Sequence, residues 1–440
     1  MTHEEKRITI PHVYSLFNAL LLANAWLLFD HGDDTAAASV LVVTCGLALW
    51  QLILLLHARL STRVHRIERS IRKPHFVQAG LQLCIYLYWG LYWVETRNYA
   101  LFIVVQIVFA YLFEMLLSLS RRGVWPVGFG QLPIVFSINL FLWFKEEYFY
   151  LQLLLIAFTY LAKEFLTWNQ DGKKQHIFNP SAFSLAIVSF VLLYTGSYDK
   201  FTTGVDLPES FELPPNFFEV IFLLGLVVQF LFATTPITFG SVLSNFSLFY
   251  IAKFILGGPT GPSPIDLTVF LAMTLLITDP STSPKTAKGK FLFGATYGFA
   301  IFWGSIGLRY FHQPEFFNKI LFIPVLNLMV PLFDRVTGDV HHASCISPSN
   351  WRKWLTNTSW TLLYVCLFVN IVSLLKWRET WLVNPRLLPV PVVSQELAQV
   401  ALRKNYCRAR FPDVYKPFGF RSEIARYTKL MTIYYPKTNE

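Results

Sequence analysis

Polar and apolar positions in this chain do not alternate residue by residue. They come in blocks, long apolar runs divided by short polar connectors. A membrane-spanning helix needs roughly 17–25 largely apolar residues. Such runs fall at 13–29, 36–56, 77–95, 100–118, 125–144 and 148–165, then at 180–195, 216–233, 241–256, 266–278, 291–308, 320–333 and 355–375. The pattern predicts an all-α polytopic membrane protein with about 12–13 transmembrane segments. The runs at 180–195, 241–256 and 266–278 are short, which is how broken or re-entrant helices look in sequence. Two polar stretches, HIFNPSAF (His176–Phe183) and TDPSTSPKTAKGK (Thr278–Lys290), each lead directly into an apolar run. Polar, proline-bearing backbone at a membrane is costly unless it is buried in protein or lines a site. Paired breaks of this kind predict a binding site between inverted pseudo-repeats, with the two motifs facing each other from opposite sides.

The blocks suggest four regions. Residues 1–145 are N-terminal transmembrane helices, and 146–335 form a core holding both motifs. A loop and last helix occupy 336–375, and 376–440 form a basic, aromatic-rich polar tail. The N-terminal stretch MTHEEKRITIPH shows no small-residue cleavage site, so the first run is expected to be retained.

Composition agrees with membrane residence. Hydrophobic residues make up 54% of the chain and charged residues only 15%, against about 25% charged in ordinary globular domains. Ahead of the basic tail the Lys and Arg residues lie in short connectors between apolar runs, and the net charge of +10 is not read as a nucleic-acid footprint. The connector 57–75 holds Arg59, Arg63, Arg66, Arg69, Arg72 and Lys73 against Glu68 alone. By the positive-inside rule it is cytoplasmic, together with the N-terminus, and the acidic connector 199–215 faces outward. Beyond 215 the alternation depends on whether a segment between 241 and 278 re-enters. With re-entry the motifs lie on opposite sides and the tail is inside. Without it the lysine-bearing second motif is inside and the tail is outside.

Several chemistries are not expected. The five cysteines are scattered without a CxxC pair, so neither an iron–sulfur cluster nor a zinc site is indicated. Most histidines lie in connectors rather than inside facing helices, which argues against haem, and the His341-His342 pair reads as a solvated loop. No metal site and no catalytic residues are assigned. There is no histidine box, no paired catalytic carboxylates and no Ser/His/Asp arrangement.

The motifs offer binding chemistry instead. Asn179 is placed to cap a helix that starts at Pro180. The freed amide hydrogens of such a helix start can meet an anion or a polar ring edge. Lys163, Lys173, Lys174 and His176 add positive charge nearby. In the second motif Thr278, Ser281, Thr282, Ser283 and Thr286 supply hydroxyls, Asp279 can orient the following turn, and Lys285, Lys288 and Lys290 supply cations. Gly289 lets backbone pass close to a ligand. This inventory suits a phosphate or the polar edge of a flavin or quinone, and it also suits a connector solvated at the membrane surface. Ionisable residues within spans are functional candidates by default: Glu114, Lys163, Glu164, Lys253 and Asp334. Of these, Lys253 and Asp334 are the candidates for an ion pathway.

HIFNPSAFSLAIVSF, LLITDPSTSPKTAKGKFLFGATYGF and LNLMVPLFDR, in that order, resemble the RnfD/NqrB family. Its members are flavin-carrying membrane subunits of ion-translocating oxidoreductases. The matching residues are Asn179-Pro180, Thr278-Asp279-Pro280 through Gly289, and Asn327 with Pro331 to Asp334, within roughly 150–335. In the family a long extramembrane loop carries a threonine esterified to FMN. Here that loop shrinks to TGSYDKFTTGVDLPESFELPP, where Thr202 or Thr203 could be attachment points but the attachment motif is missing. The FGAT letters at 293–296 belong to the helix after the second motif. The shortened pattern is similar to RnfD-like, UnbU-like members. The resemblance implies a multi-pass subunit of the bacterial cytoplasmic membrane, with other membrane or peripheral redox subunits as partners. It implies FMN or riboflavin, held noncovalently at Asn179, Pro180, Lys163, Thr278, Asp279, Thr282, Ser283, Lys285, Thr286, Lys288 and Gly289, or a vestige of that site. A small-solute or ion transporter on the same fold remains an alternative, as does an assembly subunit docking through its tail.

Overall fold

The computed structural model describes residues 10–61, 65–71, 73–170, 172–204, 206–256, 265–338 and 350–382. The His341-His342 pair and the tail beyond 382 lie outside the described residues.

Helices run up and down between two ends. α1 (Ile10–Asp30) and α2 (Asp34–Ser61) form a hairpin, followed by β1 (Arg66–Arg69), α3 (Lys73–Tyr92), the single turn α4 (Val94–Asn98) and α5 (Ala100–Arg122). β2 (Val124–Val127) pairs in parallel with β1, so the connectors after α2 and after α5 meet at one end. Next come α6 (Gln131–Phe141), α7 (Phe149–Phe165), an antiparallel hairpin of β3 (Thr167–Gln170) with β4 (Lys173–His176), and α8 (Pro180–Tyr194). Two short turns, α9 (Tyr198–Phe201) and α10 (Asp206–Ser210), lead into α11 (Phe217–Phe232) and α12 (Thr235–Leu256). α13 (Leu267–Leu271) continues as a π-helical stretch, Ala272–Leu276. α14 (Ala287–Tyr310), the short α15 (Asn318–Leu321), α16 (Ile323–Val336) and α17 (Asn350–Leu382) complete the bundle.

Among the described residues, seven helical stretches are long and apolar enough to cross a membrane: α1, α2, α5, α12, α14, Glu315–Val336 and α17. The chain is an all-α polytopic membrane protein. Large apolar side chains such as Trp26, Phe254 and Tyr194 face outward, the arrangement expected where hydrocarbon rather than water is the solvent. Every apolar run identified in the sequence contains a helix, but the run 125–144 opens on β2 and is helical only in α6.

The two ends differ in charge. One carries Arg66, Arg69, Arg121, Arg122 and Lys163, with Arg121 and Arg122 paired to Glu164 at 3.4 and 3.1 Å. The other carries Asp30, Asp34, Glu95, Glu146, Glu147 and Glu209. α8 and α14 both begin at the basic end and run in the same direction. Asn179 before α8 bonds Asn327 of α16, and Lys285 before α14 bonds Asp334 at the foot of α16. Further along, Tyr198 beyond α8 stacks edgewise on Phe317, and Asn318 bonds the Ile301 carbonyl of α14. The motif helices are therefore parallel, both antiparallel to α16. This corrects the inverted, opposite-sided arrangement expected from the sequence. Alternation could not fix the sidedness because Leu267–Leu276 covers only about 15 Å at 1.5 Å per residue, half of a hydrocarbon core of about 30 Å.

α12 and α14 also run parallel, in close contact. A methyl group at Gly294 would collide with the Ile237 carbonyl, one at Gly298 with the Ser241 carbonyl, and one at Gly240 with the Phe291 carbonyl. Small residues spaced four apart let helix backbones touch where no hydrophobic drive exists between helices. The FGAT letters thus belong to a helix seam.

Candidate functional site

The first motif makes its helix start as its chemistry requires. Asn179 Oδ1 accepts from the Ala182 amide at 3.3 Å, with Pro180 at the first helical position. Asn179 Nδ2 donates to the Leu276 carbonyl at 2.8 Å, tying this cap to the end of the π-helical stretch. Two further side chains serve the same stretch. Gln229 of α11 donates to the Thr274 carbonyl at 3.2 Å, and Thr238 of α12 donates to the Met273 carbonyl at 2.9 Å. Interrupting a helix frees carbonyls that lipid cannot satisfy, so neighbouring helices must do so.

The second motif folds on itself. Asp279 Oδ1 accepts from the Ser281 amide at 3.0 Å and from its hydroxyl at 2.7 Å, and Asp279 Oδ2 accepts from Thr282 Oγ1 at 3.2 Å. Thr286 caps α14 by accepting from the Gly289 amide at 2.9 Å. A methyl at Gly289 would crowd Thr286, Pro284 and Thr337, so protein rather than ligand explains the glycine. His176 Nε2 lies 2.9 Å from Ser281 Oγ and 4.0 Å from Asp279 Oδ2, linking the β-hairpin to this loop. A serine, a histidine and an aspartate do meet here, a cluster the sequence did not show. Asp279 holds the serine rather than the far nitrogen of the imidazole, however, so the cluster lacks the order of a hydrolytic triad.

Asn327 joins the motifs. It is 2% exposed, accepts from the Asn179 amide at 3.1 Å and donates to the Thr282 carbonyl at 3.0 Å. Asp334, about two helical turns further along α16, accepts from the Lys285 amide at 2.8 Å. The structure thus brings together Asn179, Pro180, Thr278, Asp279, Thr282, Ser283, Lys285, Thr286, Lys288, Gly289 and Asp334 at the basic end. Most of their buried polar groups bond to protein. Ser283 Oγ is the exception: it is buried and has no hydrogen-bond partner. Ser281, Lys285 and Lys288 of the same motif are exposed. An orphaned hydroxyl in a motif that carries exposed lysines suits a phosphate or the polar edge of a flavin.

Other candidates lie elsewhere. Lys163 is at the basic end but is ion-paired with Glu114 at 2.7 Å, and Gln131 bonds the other oxygen of that carboxylate. Lys253 is exposed near the far end of α12 and does not enter the bundle. Thr202 and Thr203 are at the acidic end, away from the motifs. Thr202 is 2% exposed, and its hydroxyl is held between the Tyr198 carbonyl and the Gly204 amide.

Two features escaped the sequence. Lys319 is 1% exposed, with its ammonium bonded to Thr268 Oγ1 and 3.9 Å from the centre of the Phe316 ring. In the sequence it sits at the edge of an apolar run, where a lysine normally reaches back to water.

The second feature is a cavity of about 370 Å³ at the acidic end. Trp93, Tyr99 and Trp143 line one side. They belong to a continuous stack, Phe102–Tyr99–Trp143–Trp93–Trp89–Phe211, with successive centroids at 4.9, 4.1, 5.1, 5.0 and 4.4 Å. Glu95, Glu146, Glu147, Asp206 and Glu209 supply the polar lining. Burial, and then the neighbouring Asp33 carboxylate, push the Glu146 carboxyl above its ordinary value. The rings and acids come from segments far apart in the chain, so no local motif announces them.

No protein-family model, curated protein or solved structure matches this chain.

Proposed function

We propose that this chain is a multi-pass subunit of an electron-transfer assembly in a bacterial cytoplasmic membrane, and that it presents a noncovalent flavin at its basic end. The observation supporting this reading is the junction made by Asn327. The three sequence elements on which the family resemblance rests are bonded to one another through it. In this reading Ser281, Lys285 and Lys288 meet the phosphate or ring edge of FMN or riboflavin, and the Ser283 hydroxyl supplies a further donor. When bound, the flavin supplies the one- and two-electron chemistry, while the protein binds and orients it. The lysines favour anionic groups at that edge, and the internally bonded loop keeps them in place. Partner redox subunits would dock on the same basic face, which the positive-inside rule assigns to the cytoplasm together with the N-terminus.

The test is isolation of the full chain in mild detergent. Its visible absorbance spectrum and the small molecules it releases on denaturation are then measured. Flavin at near one equivalent, lowered severalfold by Lys285→Gln with Lys288→Gln, is the expected result. Flavin-free protein from cells replete in riboflavin, which also fails to bind added FMN, would sink the proposal.

A further inference from the structure

We propose that the cavity at the acidic end binds a small organic cation, a protonated amine carried on an aromatic body. This site is separate from the motif end and does not depend on the reading given there. At about 370 Å³ the cavity lies within the size range of small-molecule sites, which are typically an apolar wall with a few convergent polar groups.

The wall selects the body of the ligand. Trp143 is sandwiched between Tyr99 and Trp93, at centroid distances of 4.1 and 5.1 Å and interplanar angles of 4° and 15°. Tyr99 is covered on its other face by Phe102, and Trp93 by Trp89. With their faces covered, these rings turn their rims to the cavity. Ring rims are electropositive, so they favour the electron-rich face of an aromatic guest in an edge-to-face arrangement. The wall is rigid as well. Tyr99 donates to the Phe144 carbonyl at 3.1 Å, Trp143 to the Asn139 carbonyl at 2.5 Å, and Trp89 to Ser210 Oγ at 3.2 Å.

The opposite lining selects the charge. Carboxylates from α4, from the turn before α7 and from α10 face one space. Lys145, the one cation among the cavity's lining residues, has its ammonium 2.7 Å from the Asp199 carbonyl. Like charges converging from separate segments repel one another, and a cation arriving among them relieves that repulsion while forming charge-assisted hydrogen bonds. An anionic guest meets the reverse. The acids other than Glu95 are solvent-exposed, so they form a mouth that attracts cations before contact.

Titration calorimetry on the full chain in mild detergent tests the assignment, with 2-phenylethylammonium as the probe. 2-Phenylethanol and phenylacetate serve as the neutral and anionic versions of the same body. Saturable binding of the ammonium, at least about tenfold tighter than the alcohol, with no binding of phenylacetate, is the expected result. Asp206→Asn with Glu209→Gln should weaken it by about tenfold or more. If that double variant loses its helical dichroism or aggregates, Glu147→Gln on the exposed rim makes the same comparison and should weaken binding severalfold. Ammonium and alcohol binding alike would overturn the proposal, as would ammonium binding unchanged in the folded carboxamide variants. Saturable uptake of Ca²⁺ without any ammonium binding would overturn it too, and would mark the site as one for a divalent ion.

Discussion

A single buried amide, that of Asn327, holds the two polar breaks against each other. It satisfies one donor and one acceptor on separate loops, and both are buried. Asn327→Ala leaves the Asn179 amide hydrogen and the Thr282 carbonyl without partners, at about 1–3 kcal/mol for each orphaned group. Thermal melting of the detergent-solubilised protein should therefore fall clearly for Asn327→Ala. Lys253→Gln, on an exposed face, should stay within about 0.5 kcal/mol of the parent. Equal melting of the two variants would show that the junction contributes nothing. Much of this was legible in the sequence at the level of single residues. The Asn-Pro cap and the Asp279 turn take the local roles their residue types suggest, whereas the hydroxyls of Thr278, Thr282 and Thr286, read as ligand donors, bond to protein. What the sequence hid was the far partner of each, because Asn179 and Asn327 are 148 positions apart. It also hid the depth of Lys319, since the residues that bury it come from α13 and from the turn before α15.

Among the helices, the parallel pair α12 and α14 fixes where the second motif enters its helix. Its contact depends on backbone approaching backbone, so a side chain at Gly294 or Gly298 must force the helices apart. Gly294→Val should lose folded protein outright or cost upwards of about 3 kcal/mol. Gly307→Ala, where the added methyl meets nothing within 4 Å, should be neutral or stabilising by about 0.5–1 kcal/mol. Yield and melting temperature of the two variants decide the matter, and comparable behaviour would contradict the close seam. Helix boundaries were largely readable, because apolar blocks and proline breaks mark them. The π-helical stretch was not. AMTLL is an ordinary apolar pentapeptide, and only Asn179, Gln229 and Thr238 arriving from three other helices reveal that its carbonyls need outside partners. The parallel course of α8 and α14 was equally hidden, since one half-length segment decides the parity of everything after it.

Taken whole, the molecule is polarised, with bases at one end and acids at the other. If the basic end is cytoplasmic, a cysteine at Glu209 should react with a membrane-impermeant maleimide in intact cells. One at Lys288 should react only after permeabilisation, with both placed in a background whose own cysteines are replaced by serine. Labelling of both from the same side would contradict the up-and-down course of the chain. The charge asymmetry was visible in the connectors up to residue 215 and needed no structure. The cavity was invisible, because its rings and acids are contributed by connectors that look unremarkable one at a time.

The ladder of rings above that cavity has an optical consequence. Three indoles, those of Trp89, Trp93 and Trp143, lie with neighbouring centroids 5.0 to 5.4 Å apart. At such spacing their transition dipoles couple, and light absorbed by one is shared among all three. The protein therefore contains an intrinsic spectroscopic gauge, confined to one face, whose near-ultraviolet dichroism changes when the mouth beneath it is filled or pried open.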